Sequence, residues 1–260
     1  MYSFFPHETS QPNQSKRSCL LNQPNNIFIS EATQIADHGL SGGITPAEVR
    51  WHYSQHFLAE CRGEEIIEDL VAVTYGRKQR NLLYAQLKDE IQHVRLFSAI
   101  VSKIGLDHRA NRFADGYAAV VRAQRSLTEK IFAFQILTEA VSAAYCEWRL
   151  SALGEFGYSS ADREVLADET RHLGMGRSLL MICDEDETAA ILTVERKRQL
   201  IRMINSICYS ASNIDMPNAV FGESSGVRLP HLNSLNSLVS RTVVRESGLN
   251  KETQFLVQKF

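Results

Sequence analysis

Two short segments carry the residue types that bind redox metals. Lys88-Asp89-Glu90-Ile91-Gln92-His93 and Ala167-Asp168-Glu169-Thr170-Arg171-His172 both read Asp-Glu-x-x-His. Residues three apart lie on one face of a helix, so each Glu points the same way as its His. A carboxylate beside an imidazole is half a site for a transition metal. Two further acids complete the pattern. Glu139 sits in the apolar stretch Phe134-Gln-Ile-Leu-Thr-Glu139-Ala-Val141, and Glu60 and Glu64 follow the stripe of Phe57, Ile67, Val71 and Thr74. Burying an ionised Glu costs several kcal/mol, about, unless something positive compensates it. Four carboxylates can neutralise and bridge two divalent ions, and two imidazoles leave positions open for O₂.

The first helix offers two candidates. Glu60 to Glu90 has the same spacing as Glu139 to Glu169, which favours Glu60. With a turn near Gly76 and Arg77, hairpin geometry brings Glu64 level with Glu90 and puts Glu60 one turn away, about 6 Å. This favours Glu64, with Glu60 as a nearby ligand or supporting acid. Asp89 and Asp168 stand four residues before their histidines and could accept a hydrogen bond from a ligand imidazole, its own or its partner's. Phe57, Phe97, Ile136 and Tyr145 are candidate substrate-pocket residues. His7, His38, His52, His56, His108 and His231 read as surface or capping histidines.

The elements that must position these residues are helical. Thr45-Pro46-Ala47-Glu48 is a helix start, with Thr45 as the cap, and the helix is expected to reach Tyr75 and stop at Gly76. A second helix is expected from Lys78 to Ile104 and a third from Arg109 to Gln124. Ser126-Leu-Thr-Glu129 is a capping box that opens a new or re-phased helix ending near Leu153. Ser160 could cap the next, which runs to Cys183, and an amphipathic helix follows from Glu187 to Ser210. Residues 1–44, rich in Ser, Asn, Gln and Pro, read as an irregular arm. Residues 45–211 form the helical domain with the two-metal site. Residues 212–260 form a C-terminal segment, broken by Pro217, Gly222, Gly226 and Pro230, with an apolar stretch from Leu235 to Val244. No strand-like alternation of useful length occurs.

Bulk properties bound the function. The chain has 260 residues, 44% hydrophobic and 22% charged, with net charge −2, an ordinary composition for a globular domain. That balance gives no footprint for nucleic acid. Five cysteines without a CxxC pair argue against disulfides or a zinc-thiolate site, and a reducing cytoplasm fits. No signal peptide or membrane span is expected.

Over residues 46–184 these features resemble the ferritin-like superfamily, which includes ferritins, rubrerythrins, ribonucleotide reductase small subunits and di-iron oxygenases. Glu139-Ala-Val-Ser-Ala-Ala-Tyr145, followed by Asp168-Glu169-Thr-Arg-His172, is similar to the second half of the aldehyde-deformylating oxygenases, and Gly63-Glu64 to their first ligand helix. The chain departs from reductase subunits in having Phe97 where they usually carry a radical Tyr, and from rubrerythrin in lacking a rubredoxin-like module. The resemblance implies an all-α, ferritin-like four-helix bundle with extra helices and irregular terminal segments. It implies two iron ions as cofactor, with manganese or a mixed pair able to use the same ligands. It also implies oxidation of a small organic substrate by O₂, an external electron donor, and a possible homodimer. A ferroxidase and a non-enzymatic helical module whose acid/His pairs lie on the surface are the alternatives.

Overall fold

A computed structural model describes residues 46–107, 111–153, 158–184, 192–214 and 230–248. Every regular element among them is helical. The helices are α1 (Pro46–Val73), α2 (Arg77–Ile104), α3 (Asn111–Arg122), α4 (residues 127–152), α5 (Ser159–Asp184), α6 (Val194–Ile214) and α7 (Pro230–Glu246). The proposed cap Thr45, the arm and Glu187 lie outside the described residues. No helix among the described residues is long and apolar enough to cross a membrane.

The α1/α2 hairpin corrects the sequence reading. Helix α1 ends at Val73, and the Thr74 hydroxyl donates back to the Leu70 carbonyl at 2.6 Å. Arg80 then caps the Thr74 carbonyl through Nε and Nη2, at 3.0 and 2.7 Å. Gly76 does not stop α1. It precedes α2 with φ −67°, an ordinary conformation. The middle of the turn is therefore Tyr75, which is equally far in sequence from Glu60 and Glu90. Glu60 is the acid level with Glu90, and Glu64 is level with Gln86. Helix α2 stops as expected at Gly105, whose φ of 87° is open to glycine at little cost.

Helix α4 starts at the Ser126 capping box: the Ser126 hydroxyl accepts from the Glu129 N–H at 3.1 Å, and Glu129 reaches back to the Ser126 N–H. It is α-helical over Leu127–Ile131, π-helical over Phe132–Thr138, and α-helical again over Glu139–Ala152. A π-turn adds a residue to the helix and turns everything after it. The re-phasing therefore falls immediately before Glu139, inside the helix rather than at its start. The wider backbone needs space on α5. A Cβ at Gly176 would stand 2.9 Å from the Gln135 carbonyl oxygen and 2.7 Å from the Gln135 Cβ.

The remaining elements differ modestly. Helix α5 begins at Ser159, so Ser160 is inside it rather than capping it. The C-terminal apolar stretch is part of a helix that starts at Pro230, where a proline suits the first helical position. This α7 packs on α4 and α6, and the 211/212 boundary falls within α6.

Hairpin α1/α2 and hairpin α4/α5 are joined along α2 and α5. One apolar cluster includes Ile66, Leu70, Leu83, Leu137 and Leu179, and the other includes Val49, Tyr53, Phe97, Ile100 and Val165. Between them in sequence on α1, α2 and α5 lie Glu60, Glu90 and Glu169, while Glu139 on α4 lies within the first cluster, between Leu137 and Ala140.

Gly176→Ala should cost about 1–3 kcal/mol, because a backbone carbonyl cannot yield as a side-chain tip can. Gly174→Ala, with nothing within 4 Å of its Cβ, should be neutral or slightly stabilising. Urea denaturation of both variants measures the difference.

Candidate metal centre

Helices α1, α2, α4 and α5 each bring one glutamate to a common buried point. Glu60, Glu90, Glu139 and Glu169 are 1–4% exposed, and His93 and His172 are fully buried. The acid/His pairs are therefore not surface features. Their ligand atoms form overlapping groups, each within 4.8 Å: Glu60, Glu90 and His93; Glu90, Glu139 and His172; and His56, Glu60 and Glu169. Glu64 is partly buried and belongs to none of them. Of the two first-helix candidates, Glu60 is the one that joins these groups, for the hairpin reason given above.

The two imidazoles are tied by a crossed arrangement. His93 Nε2 lies 3.1 Å from Asp168 Oδ2, and His172 Nε2 lies 3.2 Å from Asp89 Oδ2. Each Asp thus supports the histidine of the other motif. Arg171, half exposed, binds both acids, with Nη2 2.8 Å from Asp89 and Nη1 2.6 Å from Asp168. With Nε2 fixed, each ring turns Nδ1 inward, and neither Nδ1 has a hydrogen-bond partner. His93 Nδ1 faces Glu60 Oε2 at 3.5 Å and Glu169 Oε1 at 4.0 Å. His172 Nδ1 faces Glu90, Glu139 and Glu169 at 3.5–3.6 Å. These gaps are too long for hydrogen bonds and suit atoms that share an ion.

Neutral donors grip the carboxylates from outside. Gln86 Nε2 donates to Glu90 Oε1 at 2.9 Å and to Glu139 Oε1 at 2.6 Å, and Gln135 Nε2 in turn donates to the Gln86 oxygen. Ser142 donates to Glu169 Oε1 at 2.8 Å, leaving Glu169 Oε2 without a partner. His56 Nε2 lies 2.6 Å from Glu60 Oε1. On α1, Gly63 makes room for Glu90: a Cβ there would be 3.0 Å from Glu90 Oε2. Sequence reasoning missed Gln86, Gln135 and Ser142. The available signal was an amide or hydroxyl on an otherwise apolar helix face. His52 and His56, read as surface residues, are 2% and 3% exposed.

The electrostatics report crowding. Burial, then the charges of Glu60 and Glu169, push the Glu90 carboxyl well above its ordinary range. Burial and Glu169 do the same to Glu139. Against the upward pull of burial, His56 and His93 hold Glu60 well below that range. Glu139 and His172 lower Glu169, again against burial. Burial and Arg149 push His56 down.

The four pocket candidates take different places. Phe57, Phe97 and Ile136 are buried in the two apolar clusters, with Phe97 stacked on His56 at 4.3 Å. Tyr145 is partly buried, and its hydroxyl meets His52 Nδ1. His7, His38 and His108 lie outside the described residues, as does the His231 side chain.

Without metal, burial lowers the affinity of His93 for its proton, but Glu60, Glu169 and Glu90 outweigh it and raise the pKa to about 10. A raised folded value stabilises the metal-free chain fully below the unfolded value of about 6.5, and this is lost as pH rises through about 10. A metal must displace the same proton. Its affinity should therefore rise with pH up to about 10, with protons released on binding. Calorimetry in buffers of different ionisation enthalpy reads both effects. Asp168→Asn should weaken metal binding about 10–100-fold. No protein-family model, curated protein or solved structure matches the chain, so the donor set itself carries the functional reading.

Proposed function

We propose that the chain is a ferritin-like, non-haem di-iron enzyme that uses O₂ to oxidise a small organic substrate. The observation that carries this reading is the pair of partnerless Nδ1 atoms on His93 and His172, aimed into four buried glutamates while crossed aspartates fix their other nitrogens. Such atoms are costly when buried unless an ion meets them. The residues present fit two divalent ions. Glu60 with His93 would hold one, and Glu139 with His172 the other. Glu90 belongs to both groups and Glu169 faces both imidazoles, so these two acids would serve both ions. Four carboxylates carry the charge that two such ions cancel.

Two iron ions held by these residues would supply electrons for O₂ and open positions to bind it. The chain's own residues prepare that chemistry. Gln86 takes Glu139 Oε1 and leaves Oε2 toward His172, and Gln86 and Ser142 each steady one oxygen, of Glu90 and Glu169 respectively. Asp89 and Asp168 hold the imidazoles in one orientation and, as acceptors, increase their basicity. The apolar clusters on either side exclude bulk water. Electrons are taken from an external donor. Manganese or a mixed pair suits the same donors.

The test is anaerobic loading of metal-free protein with Fe(II), metal analysis, and then admission of O₂. About two irons should bind per chain, with visible charge-transfer absorption growing on oxidation. Glu169→Ala and His93→Ala should lose both. Failure to bind stoichiometric iron in the intact chain would sink the di-iron reading. Iron turnover in a cage-sized particle by light scattering, with no organic substrate consumed, would favour a ferroxidase.

A further inference from the structure

A second buried polar group adjoins the centre and has no part in the ligand set. Arg149 on α4 is fully buried. Its Nε and Nη2 donate to Asp162 Oδ1 at 2.8 and 2.6 Å. Asp162 Oδ2 accepts from the Tyr53 hydroxyl at 2.9 Å, and that hydroxyl accepts from the Tyr158 N–H at 2.7 Å. The guanidinium also lies against the rings of Tyr53, Phe97 and Tyr145, 4.8–5.5 Å from their centres. This cage fixes where its remaining hydrogens point. Nη2 lies 2.5 Å from His56 Nδ1.

That contact decides the histidine's tautomer. A guanidinium has hydrogens on every nitrogen and cannot accept. His56 Nδ1 must therefore be the bare, accepting nitrogen, and its single proton must sit on Nε2. Nε2 has two acceptors, Glu60 Oε1 at 2.6 Å and Ser142 Oγ at 3.1 Å. Ser142 spends its own hydrogen on Glu169 Oε1 at 2.8 Å. Each proton is thereby assigned. The chain of donors runs one way, from Arg149 through His56 to Glu60, and through Ser142 to Glu169.

From this direction we infer that His56 is a positioning residue, held by Arg149 as an Nε2–H donor to Glu60, and not a third imidazole ligand. Coordination through Nε2 would require the proton to move to Nδ1, where it would meet the Arg149 N–H, or to leave altogether and make an imidazolate. His56 groups with Glu60 and Glu169 by distance alone. By hydrogen count it is excluded. Its effect is to occupy Glu60 Oε1, leaving Oε2, the oxygen 3.5 Å from His93 Nδ1, as the binding atom.

The inference concerns the metal centre of the proposed function, but its first test does not need metal. Nitrogen-15 NMR of the metal-free protein should show His56 neutral with the proton on Nε2 and Nδ1 bare. A proton on Nδ1 overturns the proposal. The second test loads cobalt(II) and counts the exchangeable, strongly shifted imidazole N–H signals in proton NMR. Two are expected, from His93 and His172, and both should persist in His56→Leu. A third signal that His56→Leu removes also overturns the proposal. His56→Leu should weaken cobalt binding about tenfold, and His56→Gln, which keeps an N–H donor, should recover most of it. If cobalt does not bind to the intact chain, the two-metal reading fails while the tautomer result still decides the role of Arg149.

Discussion

Everything in this fold answers one electrostatic constraint: four glutamates and two imidazoles are brought to one point between apolar clusters. Each isolated buried charge would cost several kcal/mol, about, and like charges at this spacing repel strongly. Among the described residues no Lys or Arg reaches the inner carboxylate oxygens. Arg171 stays at the half-exposed outer rim on Asp89 and Asp168. Relief must come from protons or from cations. Burial and the neighbouring glutamates push Glu90 and Glu139 upward, toward the proton solution.

The helices are shaped around that point. A regular α-helix from Ser126 onward would carry the residues after Thr138 on a different face. The π-turns of Phe132–Thr138 rotate Glu139 into place. They also bring Gln135, on the widened backbone, to Gln86, which bonds two of the glutamates. The bulge has a matching gap in Gly176 on α5, and Glu90 has one in Gly63 on α1. Missing side chains are thus as much a part of the centre as the ligands.

How much of this could be read from sequence depends on the range of the interaction. The Asp-Glu-x-x-His pairs, the Ser126 capping box and the Gly105 stop are local patterns, and they appear where the residues say. Glu60 against Glu64 was not local. It turned on the middle of one turn, and a two-residue shift there moves the partner position by four. The π-turns left no signature, because Phe-Ala-Phe-Gln-Ile-Leu-Thr serves an α-helix equally well. His56 was misread for a related reason: its burial comes from α4, through Arg149 and Phe97 packing from α2, and neither is near it in sequence. The crossed pairing of Asp89 with His172 and Asp168 with His93 was open, since spacing allows own or partner histidine. Only the antiparallel packing of α2 on α5 selects the cross.

A buried cation next to the proposed ion site would oppose it, yet only His56 stands between Arg149 and Glu60. The resolution is that Arg149 arrives already neutralised. Asp162 takes two of its N–H groups, and the charges of that pair cancel at short range. What remains toward the centre is directional: one N–H with no capacity to accept. Arg171 is treated likewise at the other face by Asp89 and Asp168. In both places the arginine contributes geometry rather than charge. The charge of the centre is therefore set by its four glutamates, since the groups gripping them, His56, Ser142 and Gln86, are neutral donors. A pair of divalent ions matches that charge. A single ion would leave two carboxylates uncompensated, which the buried setting penalises.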